Sequence, residues 1–194
     1  QSVAADAPAA NVPANWQPSI AIDAAKVGPP VSKYIYGQFI EHLGRCIYGG
    51  IWAEMLEDRK FYYAVGDKES PWKSFDETPV AMVREDAFVG EQTPKIAAGK
   101  GLRQSGLGVL QGKDYVGYVW LKSAGQPVAV QVSLMWQPGK TAGDLQTIEI
   151  DGVPAQYTKY PLKFTAAAAS DDATLSIKVT GGECFVGTVS LMPA

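Results

Sequence analysis

From Pro79 to its C-terminus the chain consists of short β-prone runs separated by turns that contain Gly, Pro or Asp. Several runs alternate, as between Val128 and Leu134, where the even-numbered positions are apolar while Gln131 and Ser133 are polar. A period of two is typical of strands that bury one face. A series of such strands predicts an antiparallel, mainly β fold, a jelly-roll β-sandwich. The predicted strands are Val80 to Val83, Val109 to Leu110, Tyr115 to Lys122, Val128 to Trp136, Thr147 to Ile150, Leu162 to Thr165, Thr174 to Val179 and Phe185 to Leu191.

The first 60 residues have a different character. Residues 1–18 are rich in Ala, Pro and Asn, which predicts a flexible tether. Ser19 to Asp23 alternates weakly and predicts a short strand, and Tyr34 to Glu41 is typical of a strand buried on both faces. Trp52 to Phe61 fits one short amphipathic helix. Because a strand buried on both faces needs covering helices, this region predicts a piece of a larger fold.

Composition excludes several classes of function. The formal net charge of -3 offers no basic field to a nucleic acid, and the sequence has no apolar run long enough to span a membrane. The N-terminus lacks a Met and begins as a chain might after a secretory signal is removed, so we expect a secreted or periplasmic protein. Cys46 and Cys184 are too few for a disulfide scaffold; a bridge and two free thiols both remain open, and free thiols are favoured.

The densest group of chemically useful residues lies between Tyr36 and Trp52. It holds Glu41, the chain's one histidine, Arg45 and several glycines at the end of the predicted buried strand. Glycines let the backbone approach a ligand, and Glu41 can accept hydrogen bonds from sugar hydroxyls. The alternative is that Glu41 and Arg45, four residues apart, only pair with each other. A lone histidine leaves no zinc site and no Ser-His-Asp triad, and we predict no metal or cofactor.

The run from Tyr34 to Trp52 resembles the N-terminal signature of glycoside hydrolase family 51, the α-L-arabinofuranosidases. The resemblance implies that this run is the first strand and loop of a (β/α)8 barrel, and that Glu41 contacts the arabinofuranosyl group. It also implies that the strand around Ser19 joins a separate C-terminal β-sandwich. Both catalytic glutamates of a retaining enzyme of this family would lie downstream, so the chain is expected to contain no catalytic residue, and the remainder of the barrel is absent from it.

Residues 61–192 are expected to form a carbohydrate-binding-module-like sandwich inserted after residues 19–60 of the catalytic region, with residues 193–194 returning to the barrel. The runs 101–107 and 112–122 resemble carbohydrate-binding modules of families 4 and 9. Aromatic rings in such modules stack on sugars. The candidates are Trp72, Tyr115, Tyr118, Trp120 and Trp136, with core packing as the alternative for each.

These features predict a retaining exo-α-L-arabinofuranosidase that removes terminal arabinose from arabinoxylan or arabinan, of which this chain is the N-terminal part. Its partners would be plant cell-wall polysaccharide and the missing barrel, in the same polypeptide or as a second chain. The alternatives are a family 51 endoglucanase, a stand-alone carbohydrate-binding module, and a sandwich with no ligand. Solvent exposure of Trp72 and Trp136 separates the last two.

Overall fold

The computed structural model describes residues 15, 17, 19–23, 25–30, 32, 53–76, 78–137 and 142–194. The chain divides into two units, Gln1–Ile40 and Glu41–Ala194. The predicted buried strand from Tyr34 to Glu41 lies outside the described residues, as does nearly all of the predicted tether.

The second unit is a β-sandwich of two five-stranded antiparallel sheets. Its strands are β1 (Lys73–Ser74), β2 (Ala81–Val83), β3 (Thr93–Ala97), β4 (Gly101–Val109), β5 (Asp114–Ser123), β6 (Val128–Met135), β7 (Leu145–Val153), β8 (Thr158–Thr165), β9 (Ser170–Gly181) and β10 (Glu183–Pro193). The first sheet has the order β1-β4-β9-β6-β7, and the second sheet has the order β2-β3-β10-β5-β8. The prediction of a mainly β sandwich is confirmed.

The core lies between the two sheets and follows the alternation in the sequence. In β6 the even-numbered residues from Val128 to Leu134 are buried and the odd-numbered ones are partly exposed. In β5 the odd-numbered Val119 and Leu121 are fully buried, so Tyr118 and Trp120 lie on the outer face of the second sheet. Cys184, on β10, is a buried free thiol, and burial raises its pKa to about 12.

The structure differs from the prediction at β1 and β3, which were not predicted, and in the bounds of several strands, most clearly β4. The expected two-residue run at Val109 is the end of the nine-residue β4, whose alternation is interrupted by register shifts after Gln104 and after Leu107. A β-bulge of this kind changes which parity of residue faces the core. β3 is missing from the prediction because it contains Pro94, which cannot donate a ladder hydrogen bond.

The predicted helix from Trp52 to Phe61 is wrong, because residues 53–61 form bends, turns and irregular backbone. Asp58 and Phe61 have positive φ angles of 43° and 56°, which a right-handed helix excludes. The side chains of Glu54 and Arg59, within this segment, bond to β10. Tertiary hydrogen bonds therefore override the local periodicity.

The strand predicted from Ser19 to Asp23 is also not formed. These residues have no strand pairing, and Ile20 and Ile22 are 89% and 88% exposed. The chain instead turns at Asp23, whose carboxylate accepts a hydrogen bond of 3.0 Å from the backbone N–H of Ala25. A strand needs a neighbour to satisfy its backbone groups, and the described residues supply none to this segment.

Candidate functional site

Glu41, the predicted sugar contact, lies outside the described residues together with the glycine-rich run around it. Its role is therefore still a prediction. The described residues begin again at Ala53, directly after the glycine-rich run, and include the sandwich.

Three of the aromatic candidates are core residues. Trp72 is fully buried, with its ring centroid 5.3 Å from that of Phe61 and its indole N–H donating to the backbone oxygen of Asp58 at 3.1 Å. Trp136 and Tyr115 are 4% and 2% exposed. None of these rings presents a face to solvent, so the core-packing alternative holds for all three, and the stacking role predicted for them is wrong in this structure.

Trp120 and Tyr118 lie on the outer face of the second sheet, but other side chains of the same chain cover them. The ring of Phe88 packs 4.8 Å from the ring of Trp120 and 4.8 Å from that of Tyr157. A Cβ at Gly187 would lie 2.8 Å from Phe88, so only glycine leaves room for this ring over β10. The Lys159 ammonium lies 4.2 Å from the Tyr118 ring centroid.

The segment that carries Phe88 is fastened to the sheet at its polar end. Lys122 forms an ion pair with Asp86, and the Tyr157 hydroxyl donates to the backbone oxygen of Asp86 at 2.7 Å. Burial raises the pKa of Tyr157 to about 12. Phe88 therefore covers the ring of Trp120 and Lys159 covers that of Tyr118, so neither ring offers an open platform for a sugar.

Glu54 joins the chain that enters the sandwich to the strand that leaves it. Its side chain is 2% exposed, and its carboxylate accepts hydrogen bonds from the Leu191 N–H at 2.8 Å and the Ser190 hydroxyl at 2.7 Å. The Met55 N–H donates to the Leu191 oxygen at 2.9 Å. Entry and exit of the sandwich are thus in direct contact.

Arg59 completes this contact. Its Nε lies 3.1 Å from the Glu54 carboxylate and donates to the Val189 oxygen at 3.1 Å. Its Nη2 donates to the Tyr118 hydroxyl at 2.8 Å, and the Val189 N–H donates to the Arg59 oxygen at 3.1 Å. We call Glu54, Arg59 and their partners on β10 the junction clamp.

Tyr62 and Tyr63 form an exposed aromatic pair that the sequence analysis missed. They are 79% and 41% exposed, with ring centroids 5.0 Å apart and planes at 89° to each other. Their place at the end of a predicted helix concealed them, because exposure is a property of the tertiary fold. The available signal was the uninterrupted aromatic run from Phe61 to Tyr63.

The backbone beneath this pair is held from several sides. The Asp58 carboxylate accepts hydrogen bonds from the N–H groups of Tyr62 at 2.7 Å and Tyr63 at 3.1 Å. The Gln92 amide donates to the carbonyl oxygens of Phe61 at 3.4 Å and Tyr62 at 3.0 Å. Partial burial raises the pKa of Asp58, and these two N–H bonds oppose the rise.

Two adjoining clefts lie at the β1 and β3 edge of the sandwich. One of about 260 Å³ is lined by residues including the Asp76–Lys100 ion pair. The other, of about 480 Å³, is lined by residues including Lys73 and Arg103. Hydrogen bonds from Lys100 and Thr78 lower the pKa of Asp76. Within the described ranges no three His, Cys, Asp or Glu side chains come together as metal ligands.

The chain is similar in sequence to two arabinofuranosidases. It is 30% identical over 185 residues to an extracellular exo-α-L-arabinofuranosidase of Streptomyces chartreusis, a match that covers 90% of this chain and 22% of that protein. It is 25% identical over 188 residues to α-L-arabinofuranosidase 1 of Arabidopsis thaliana, covering 86% of this chain and 28% of that protein. No family model matches the chain.

Solved structures share the fold. An arabinose-bound family 51 α-L-arabinofuranosidase superposes with a TM-score of 0.62 at 17% identity, over 79% of this chain and 28% of that one. A family 61 carbohydrate-binding module in complex with β-1,4-galactotriose superposes with a TM-score of 0.54 at 15% identity, over 73% of this chain and 99% of that one. A family 4 module gives 0.51 at 16% identity, over 71% and 99%.

At these identities the structural matches establish the fold alone. No helix among the described residues is long and apolar enough to cross a membrane.

The sequence matches run through both the glycine-rich segment and the sandwich, while the chain spans under a third of each relative. Over nearly its whole length, the chain is therefore related in sequence to α-L-arabinofuranosidases.

Proposed function

We propose that this chain is the N-terminal part of an exo-acting α-L-arabinofuranosidase, exported from the cell, that removes terminal arabinose from arabinoxylan or arabinan. The observation that carries the proposal is the 30% identity to the extracellular Streptomyces enzyme over 90% of this chain. That match includes both the run that resembles the family signature and the sandwich. A stand-alone module would be expected to match over the sandwich only.

In the proposed mechanism Glu41 binds the arabinofuranosyl group. Double displacement through a covalent arabinosyl intermediate needs two carboxyl groups about 5 Å apart, one as nucleophile and one as acid/base. By resemblance to the family, both belong to the barrel portion that this chain does not contain. The chain would thus supply one substrate contact and the accessory sandwich.

The junction clamp supports the proposal that the sandwich is an insertion, spanning residues 61–192, within the catalytic region. An inserted domain needs its two ends close together, and the Met55 N–H and the Leu191 oxygen are 2.9 Å apart. A buried carboxylate and a guanidinium fix that closeness in one geometry. The sandwich would then act as a rigid brace beside the barrel.

The burial of Trp72 and Trp136 favours this bracing role over that of a module that binds sugar through those residues. Because Phe88 covers Trp120 and Lys159 covers Tyr118, we also assign no sugar to the outer face of β5.

The first test is the mass of the protein isolated from its natural source, measured under denaturing conditions, together with hydrolysis of a chromogenic α-L-arabinofuranoside. We expect these 194 residues to occur with a barrel portion, in one polypeptide or two, and the assembly to release arabinose. In that assembly Glu41→Ala should reduce kcat/KM by about 100-fold or more, because a sugar contact that tightens in the transition state is lost.

Glu149→Ala on the sandwich is a suitable control, since its exposed side chain on β7 belongs neither to the junction clamp nor to the predicted sugar contact. An assembly that cleaves β-glucan and leaves arabinofuranosides intact would assign the protein to the endoglucanases. If Glu41→Ala left the hydrolysis of arabinofuranosides unchanged, the role of Glu41 would be wrong.

A further inference from the structure

We propose that Tyr62 and Tyr63 form a sugar-binding corner, a subsite that contacts the polysaccharide chain carrying the arabinose. The inference rests on the proposed function for its substrate class. Its physical basis is separate, because it depends on the exposure of two rings and on the rigidity of the backbone that carries them.

The exposure of these rings contrasts with that of the other aromatic candidates. Tyr62 is 79% exposed and Tyr63 is 41% exposed, while Trp72, Trp136 and Tyr115 are buried and Trp120 is covered by Phe88. Among the described residues this pair is the place where aromatic ring faces are open to a ligand.

The two rings are also oriented by the fold. They meet edge to face, with planes at 89° and centroids 5.0 Å apart, so that together they form a right-angled corner. A pyranose or furanose ring presents C–H groups on its faces and hydroxyls on its rim. One tyrosine can cover a face of such a ring while the hydroxyl of the other reaches its rim.

The loop is held rigid at a cost. Asp58 and Phe61 have positive φ angles of 43° and 56°, and strain of this kind persists only where surrounding contacts enforce it. The enforcing contacts are the Asp58 carboxylate, the Gln92 amide and the packing of Phe61 against Trp72. A rigid aromatic pair loses little conformational entropy on binding, which is an advantage for a weak sugar site.

A protein partner fits the pair less well than a saccharide does. A stable protein interface buries about 800 Å² on each side, whereas a tyrosine buries about 150–250 Å². Lys60 and Asp67, the nearest charged residues before and after the tyrosines in sequence, are exposed. A small aromatic surface with a polar surround matches one or two sugar units.

The pair directly follows the junction clamp in sequence, because Arg59 is separated from Tyr62 by two residues. The clamp fixes Arg59 against Val189 and Tyr118, so the start of the tyrosine loop is held on the sandwich, whereas the proposed function assigns the arabinose to Glu41. We therefore infer that the corner binds the backbone of the polymer and not the arabinose that is cleaved.

The test is binding of the full 194-residue chain to soluble arabinoxylan, arabinan, unsubstituted xylo-oligosaccharides and barley β-glucan, measured by affinity electrophoresis and calorimetry. The wild type should bind at least one of them, and Tyr62→Ala/Tyr63→Ala should weaken that binding by about tenfold or more. Tyr62→Phe/Tyr63→Phe, which keeps the rings, should lose less. Leu110→Ala, which removes an apolar side chain that is 63% exposed on another turn, should bind as the wild type does.

Equal binding by the wild type and the double alanine variant would overturn the proposal, as would no binding to any of the four glycans. A lower thermal stability of the double alanine variant without any glycan binding would instead mark the pair as a structural contact within the chain, and would also overturn the proposal. Binding to β-glucan alone would keep the corner and remove the arabinose-specific part of the proposed function. Arabinofuranosidase activity of the assembly without glycan binding by this pair would keep the proposed function and overturn the corner.

Discussion

Replacing Glu54 with alanine should destabilise the sandwich by about 3 kcal/mol. The Glu54 side chain is 2% exposed and bonds to Leu191, Ser190, Leu56 and Arg59, so little solvent can compensate for its loss. Breaking a buried ion pair by removing one partner typically costs about 3–5 kcal/mol. We take the lower end because the Arg59 side chain is 23% exposed and can recover some hydration.

The assay is urea unfolding of the 194-residue chain, followed by tryptophan fluorescence, with Tm measured in parallel. For a chain of this size a loss of about 3 kcal/mol corresponds to a fall in Tm of about 6–12 °C. Glu54→Gln, which keeps the shape and one acceptor oxygen, should cost about half as much. Glu91→Ala is the matched control: its ion pair with Arg84 is 3.6 Å long and both side chains are mostly exposed, so we expect no measurable change.

A double-mutant cycle with Arg59→Met separates the ion pair from the other bonds of the carboxylate. We expect a favourable coupling energy of about 1–2 kcal/mol between the two side chains. The reasoning would be refuted if Glu54→Ala lowered stability by less than about 0.5 kcal/mol, or if the cycle gave no coupling while both single variants were destabilised. The second result would mean that the two residues act separately and that no clamp exists.

Two further predictions concern the outer face of the second sheet. Gly187→Val should displace Phe88, since a Cβ at this position would lie 2.8 Å from the Phe88 ring. Trp120 would then be exposed to water, and the tryptophan emission should shift to the red. Unchanged emission would contradict the packing of Phe88 against Trp120. Burial raises the pKa of Tyr157 from its ordinary value of 10.0 to about 12 in the folded state, so its contribution to stability is complete below pH 10 and is lost as the pH rises towards 12. Tyr157→Phe should therefore make the unfolding free energy fall less steeply between pH 10 and pH 12. Part of the fall should remain, because the pKa of Cys184 is also raised to about 12. If the unfolding free energy of Tyr157→Phe fell as steeply as that of the wild type, Tyr157 would not be the source of the pH dependence.

The sequence predicts the fold best where alternation is unbroken. The predicted bounds of β5 and β6 agree with the structure to within two residues at each end, because their core positions repeat every second residue. Of the predicted run Val109–Leu110 only Val109 lies in β4, because the register shift after Gln104 changes the parity of its buried positions. Periodicity reports the local pairing of a strand, and a bulge breaks that relation; the available signal was Gly106, which lies at the shift with a φ of 79°.

The candidate site was less predictable for a different reason. Glu54 and Arg59 lie in the segment that was predicted to be a helix, yet their partners lie on β10, more than 120 residues away in the sequence. Tyr62 and Trp72 belong to the same residue class and lie ten positions apart, but one is 79% exposed and the other fully buried. Only the tertiary fold separates an aromatic that can bind a ligand from one that fills the core.

The junction clamp connects these observations to the proposed architecture. A buried carboxylate paired with a guanidinium contributes less to stability than a well-packed apolar pair could, but its bonds have fixed directions and lengths. Here those bonds hold together segments at the entry and exit of the sandwich, and the tyrosine corner follows directly from one of them. If the sandwich is inserted in a barrel as we propose, the same contacts would set both its angle to the catalytic region and the position of the corner relative to Glu41. Loosening the clamp should then weaken polymer binding before it affects the hydrolysis of a small aryl arabinofuranoside, because in our proposal the polymer contacts both Glu41 and Tyr62 while the small substrate contacts Glu41 alone.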